Sequence, residues 1–208
     1  MPTNENRSII ERTLEAAFTV DVDAVQARVY RMRKERPDAD NEALARFVYS
    51  NASWKGAGIG LASGLPSNPW AAVPAAVADA ALMLHIQAVA AATVATIYEP
   101  DFLNDGDSIW ELMVPIFGVD VTSQALREVG VAGGKQVTKQ LIRKYVSKET
   151  LKVFKRVMLR YFGIKVTQKA LITKTLPVVG GVIGGTWNLA EVRITGNRVI
   201  AYFENRPI

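Results

Sequence analysis

Between residues 56 and 98 the chain reads GAGIGLASGLPSNPWAAVPAAVADAALMLHIQAVAAATVATIY, and its one formal charge is Asp79. So long an uncharged run must be covered by other helices or by lipid, and that requirement limits what the chain can fold into. The run Gly64-Leu65-Pro66-Ser67-Asn68-Pro69 divides it. Asn68 followed by Pro69 has the form of an N-cap with proline at the first helical position. The helix beyond can run to Tyr98, tolerating Pro74 in its first turns, until Glu99-Pro100-Asp101 stops it. Residues 80–98 are long enough to cross a bilayer, for which about 20 residues are needed. Yet they are largely alanine, which gains little on transfer to lipid, and they include His85 and Gln87. We therefore read them as the core helix of a bundle in preference to a membrane span.

The flanking segments supply helices to cover this run. Ser8 and Glu11 fit a capping box for a helix to about Phe18. Asp21 caps a second, with Val22, Val25, Val29 and Met32 on one face, ending in Arg33-Lys34-Glu35-Arg36 before Pro37. Asp40 caps a third, with Glu42 in its first turn and Leu44, Phe47, Val48 and Trp54 carried toward the glycines. Gly56, Gly60 and Gly64 recur every fourth residue, which allows close helix approach. Ser108 and Glu111 form a further capping box for a helix through Trp110 and Met113, ending near Pro115. The pattern is again helical over 120–131. Over 148–162, Leu151, Phe154, Val157, Met158 and Tyr161 share one face and Lys152, Lys155, Arg156 and Arg160 occupy the rest, with Gly163 closing the helix. A last helix is expected to reach Tyr202 and Phe203, absorbing the short β-favouring runs at 192–194 and 199–202. The pattern predicts an all-α protein. It would be a single compact multi-helix bundle of about eight helices, with N-terminal amphipathic helices in 1–44 continuous with a helical domain over 45–208. Its core would hold two Gly-rich apolar segments, 56–98 and 176–188.

Composition narrows the chemistry. The chain has no cysteine and one histidine, so disulfides, Cys-based zinc sites, Cys nucleophiles and clusters of imidazole ligands are excluded. No cofactor or metal is expected. The start lacks a cationic residue run followed by an apolar one, so no signal peptide is evident and a cytoplasmic location is expected. Net charge is +5, distributed unevenly: residues 75–134 carry one Arg against eight acidic side chains, and residues 135–174 carry twelve Lys/Arg against Glu149 alone. Such a cationic stretch suits an anionic membrane surface or a membrane-protein partner, with nucleic acid as a weaker alternative because no nucleic-acid module is recognisable. Self-association through the acidic middle of a second copy is a further use. The cations concerned are Lys135, Lys139, Arg143, Lys144, Lys148, Lys152, Lys155, Arg156, Arg160, Lys165 and Lys169. Gly133-Gly134-Lys135 is not a phosphate loop, since Val129 stands where the leading glycine belongs and Gln136 replaces Ser/Thr. No Ser-centred nucleophile elbow is present either.

Asp79 is the chemical anomaly, because an unpaired buried carboxylate is expensive. One reading is a polar site shared with Gln87, about two turns on and roughly 80° around the helix. The other is structural: Asp79 pairs with a cation of another helix, or tethers the backbone of the glycine turn. His85 is about 240° from Asp79 on an ideal helix, so the two do not share a face for a dyad, and a hydrogen-bonded core or boundary histidine is expected.

Two stretches resemble the EcsC protein family, a bacterial group of helical proteins. The first is Gly64-Leu65-Pro66 with the following helix that bears Asp79 and Gln87. The second is Lys174-Thr175-Leu176-Pro177-Val178-Val179-Gly180-Gly181-Val182-Ile183-Gly184-Gly185, with Asn188 and then Ala201-Tyr202-Phe203. The resemblance covers roughly Ala45 to Phe203. Ser67-Asn68-Pro69-Trp70 departs from the glycine-rich sequence usual after the first motif's proline. The resemblance implies a helical, membrane-associated protein with no established reaction. Beside the resemblance, we read Gly64, Pro66, Pro177, Gly180, Gly181, Gly184 and Gly185 as a helix-packing motif and Asp79, Gln87 and Asn188 as candidates for a polar or ligand site. The expectation from residues and resemblance together is a non-enzymatic, peripheral protein at the inner face of the membrane. The alternative is a small-molecule or lipid-binding protein, or an enzyme, with its site at Asp79 and Gln87.

Overall fold

The computed structural model describes residues 16–17, 19–63, 69–104, 108–118 and 180–205, and all regular structure among them is helical. The elements are α1 (Val22–Glu35), α2 (Asn41–Ser63), α3 (Pro69–Tyr98), a 3₁₀ turn (Phe102–Asn104), α4 (Ser108–Glu111), α5 (Met113–Phe117) and α6 (Gly180–Glu204). The expected helices at 8–18, 120–131 and 148–162 lie outside the described residues, apart from Ala16 and Ala17.

Local chemistry accounts for the helix starts. Asp21 sits in extended backbone and its carboxylate accepts from the Ala24 N–H at 2.9 Å, satisfying one of the donors a helix start leaves open. Asp40 does the same for Ala43 at 2.7 Å. Glu42 in the next turn pairs with Arg46. Replacing Asp21 by Ala is expected to lower stability by about 1 kcal/mol. Asp21→Asn is expected to change it by a few tenths at most, both read from chemical denaturation curves.

Side-chain contacts fix the directions of the helices. Gly185 of α6 lies against Ala57 and Leu61 of α2, and Gly196 against Tyr49, so α2 and α6 run antiparallel. Asn188 bonds Asp79 near one end of α3, and Phe203 stacks on Tyr98 at the other, so α3 and α6 run parallel. Ala17, just before α1, meets His85, and Arg33 near its end meets Ile97, so α1 also runs parallel to α3. The core therefore centres on α3, where Ala88, Ala90, Ala91, Ala92, Val94, Ala95 and Ile97 are all buried among these neighbours. Small side chains let several helices approach at once. Thr93 and Thr96 remain tolerable there because each hydroxyl donates to the carbonyl four residues earlier, at 2.7 and 3.0 Å. By length and composition Ala78–Tyr98 could cross a membrane, and 67% of that window is buried inside the protein.

The structure corrects three local expectations. Trp54 does not continue the buried stripe of Leu44 and Val48: it is 63% exposed. Ser108 does not act in a capping box. Its buried hydroxyl has no hydrogen-bond partner among the described residues, and Glu111 turns instead to Tyr202. The single helix expected from Ser108 to near Pro115 is divided at Leu112 into α4 and α5, and Pro115 is tolerated in the first turn of α5, where the missing N–H removes no intrahelical bond. Gly118 then ends it at φ +89, a conformation that L side chains rarely adopt.

Candidate functional site

The carboxylate that stood out in the sequence is buried where α2, α3 and α6 meet. Asp79 is 2% exposed and Asn188 is 0% exposed. The Asn188 amide nitrogen donates to Asp79 Oδ1 at 3.2 Å and to the Gly56 carbonyl at 3.1 Å. One amide thus joins a side chain of α3 and the backbone of α2 from its seat on α6. Gly56 sits in a tight part of this junction. A Cβ there would sit 3.0 Å from Met83 Cε and 3.3 Å from Val192 Cγ2, inside the same three-helix junction. A neutral amide from another helix was not among the partners considered for Asp79.

Of the three candidate polar residues, the structure brings two together. Gln87 is also buried, but it lies eight residues further along α3, about 12 Å at 1.5 Å per residue, beyond the reach of the same amide. His85 is half-buried and its Nδ1 donates to the Ala17 carbonyl at 3.2 Å, on a different face of α3 from Asp79. Among the packing-motif residues, Gly185 is in close contact with α2. A Cβ on it would meet Leu61 Cγ at 2.9 Å and the Ala57 carbonyl at 3.1 Å. Gly180, Gly181 and Gly184 belong to α6, while Gly64, Pro66, Pro177 and every cation from Lys135 to Lys169 lie outside the described residues.

The structure adds polar contacts that sequence reasoning missed. At the far end of the bundle the Tyr202 hydroxyl donates to Glu111 Oε1 at 2.7 Å, with Glu111 buried and Tyr202 half-buried. Beside it Tyr98 donates to Glu204 at 3.2 Å, and burial, then the Glu204 charge, push its phenol above the ordinary value. Arg33 at the end of α1 donates to the Ile97 carbonyl and to Asn41, placing a cation where the last carbonyls of α3 are open. Tyr49 is buried against Gly196, and desolvation pushes its phenol well above the usual range. Nothing in the spacing of Glu111 and Tyr202 announced their pairing.

Chemically, the Asp79–Asn188–Gly56 junction is suited to fixing three helices in register. Among the described residues no group of His, Cys, Asp or Glu is arranged to hold a metal ion. Comparison with known protein families, with curated proteins and with solved structures gave no match.

Proposed function

We propose that this chain is a peripheral, non-enzymatic, EcsC-like helical protein that binds anionic membrane surfaces, or a membrane-protein partner, at the cytoplasmic face. The observation that carries the proposal is the charge distribution: twelve Lys/Arg against one acidic residue between 135 and 174. Each basic side chain near an anionic bilayer contributes about 1 kcal/mol. The finer architecture belongs to the same proposal: about eight helices forming one globule, with the two Gly-rich segments in its core. The contacts of Gly56, Gly185 and Asn188 support that arrangement.

The second reading places a small-molecule, lipid or catalytic site at Asp79. The burial of Asp79 and Asn188 against each other favours a structural role there over an open ligand site. Nucleic-acid binding through the same cations is the third.

The test is sedimentation with vesicles of neutral lipid alone or mixed with an anionic phospholipid. Anionic vesicles should retain the protein, and added salt should release it. The triple variant Lys152→Glu, Lys155→Glu, Arg156→Glu should bind at least roughly a hundredfold more weakly, the loss expected from three basic contacts. Equal binding to neutral vesicles, or a triple variant that binds normally, would overturn the membrane reading. A salt-dependent DNA shift abolished by the same triple variant, without vesicle binding, would favour the third.

A further inference from the structure

The helices described above meet at two unlike ends. Because α3 and α6 run parallel and α2 runs against them, the end of α2 and the starts of α3 and α6 come together. Over 54–63, 69–84 and 180–190 these stretches carry only Lys55 and Asp79, and Asp79 is buried with Asn188 bonded to it. The other end is charged on all three helices: Asp40, Glu42 and Arg46 lie at the start of α2, Glu99 and Asp101 follow α3, and Glu204 closes α6. Helix α1 belongs to that charged half, since Ala17 before it meets His85 and Arg33 near its end meets Ile97. The uncharged end also exposes large apolar side chains. Trp54 and Leu61 of α2, Leu82 of α3 and Trp187 of α6 are between 47% and 63% exposed. They do not form one patch. Gly56 faces Met83 of α3, and Trp54 and Leu61 stand about 160° and 140° around α2 from it, turned away from α3. Trp187 stands about 180° around α6 from Gly196, which faces Tyr49, so it is turned away from α2.

We propose that this uncharged end enters the boundary between headgroups and acyl chains of an anionic bilayer, with Trp54 and Lys55 at headgroup level and Leu61 deeper. Insertion rests on the membrane reading above and adds to it the part of the molecule that goes in. A protein partner, a second copy included, covers one side of a surface. Apolar side chains set around the tips of three helices suit a bilayer instead, which meets every side at once. The neighbours Trp54 and Lys55 mark the waterline, because an indole and an ammonium on an apolar stem both settle among headgroups. Leu61 lies seven residues beyond Trp54, about 10.5 Å along α2, and interfacial helices bury their apolar faces by about 5–10 Å. The one carboxylate of this end, Asp79, is closed off from lipid by its burial against Asn188. The charged half, with α1, stays in water, and α3 remains enclosed by its neighbours.

The chain has no native cysteine, so spin labels can be placed one at a time in the full protein. On addition of mixed phosphatidylcholine–phosphatidylglycerol vesicles, labels on Leu61→Cys and Leu82→Cys should lose access to a water-soluble nickel chelate and keep access to oxygen. A label on Tyr30→Cys, at an exposed site of α1, should stay open to the chelate. Sedimentation of the same samples reports binding separately. Vesicle-bound protein whose labels at 61 and 82 remain open to the chelate would overturn insertion and leave the membrane reading standing. Protein that does not bind these vesicles would overturn both. Labels at 61 or 82 whose spectra broaden with protein concentration in the absence of lipid, and do not change on its addition, would assign this end to a second copy and overturn insertion. A second measurement uses Leu61→Gln with Leu82→Gln, which keeps the net charge and alters only exposed side chains. This variant should bind the same vesicles at least tenfold more weakly at an unchanged thermal midpoint. Unweakened binding would also overturn the proposal.

Discussion

Gly196→Leu is expected to prevent α2 and α6 from packing as they do, and Gly196→Ala to lower the stability of the whole chain. A Cβ at position 196 would lie 2.5 Å from Tyr49 Cγ, 2.7 Å from Cδ1 and 2.9 Å from Cβ. The obstruction is the base of a buried ring, which cannot swing aside as a flexible side-chain end would. Two effects compete in the alanine variant. Removing glycine from a helix interior gains about 1 kcal/mol. Overpacking a close contact costs typically 1–3 kcal/mol, occasionally more. At these distances the steric term wins, and a net loss of about 1–2 kcal/mol is expected, a fall of roughly 2–8 °C in midpoint for a chain of this size. Gly58 is the control, since a Cβ there meets nothing within 4 Å. Gly58→Ala should therefore raise the midpoint, by about 0.5–1 kcal/mol in stability. Thermal denaturation of both variants decides the matter. A double-mutant cycle with Tyr49→Ala should remove most of the Gly196→Ala penalty. If Gly196→Ala stabilises the protein as much as Gly58→Ala does, the close approach of α2 and α6 is wrong.

The contrast between these glycines shows how much of the fold was legible beforehand. The starts at Asp21 and Asp40 were legible because caps act over three or four residues. The apolar saturation of α3 was legible for the same reason: a helix hydrophobic all round is expected to be enclosed. Gly196 and Gly58 are indistinguishable by local rules, and only the ring of Tyr49 on another helix separates them. Trp54 was misplaced because apolar spacing alone does not say where the partner helix stops covering a face. Glu111 looked like a capping-box residue by its distance from Ser108, and its tie to Tyr202 at a separation of 91 residues outweighed that local option. Asp79 was conspicuous as a charge in an apolar helix, but its amide partner is 109 residues away, and no periodicity links them.

That pairing carries the second large expectation. Asn188→Leu preserves volume and removes the donor that serves both Asp79 and the Gly56 carbonyl. Losing a partner from a buried acceptor costs about 1–3 kcal/mol, and more when the acceptor is charged. The Gly56 carbonyl lies inside α2 and keeps its place in the intrahelical ladder, so the loss falls on Asp79 and is expected to be about 1–3 kcal/mol. Asp79→Asn should be milder, because an amide oxygen at the same place can still accept from Asn188. If the junction serves to hold three helices together, Asp79→Leu with Asn188→Leu should recover much of the loss, since replacing both partners of a buried pair by apolar groups can be nearly neutral. If Asp79 serves a ligand site instead, Asp79→Asn would leave stability almost unchanged, and the double variant would fold no better than Asn188→Leu alone. Equilibrium urea unfolding of the parent, Asp79→Asn, Asp79→Leu, Asn188→Leu and the double Leu variant separates the two cases. A structural clasp predicts a strong coupling energy between positions 79 and 188. A solvated functional carboxylate predicts additive effects, and additivity would return Asp79 to the list of candidate binding groups.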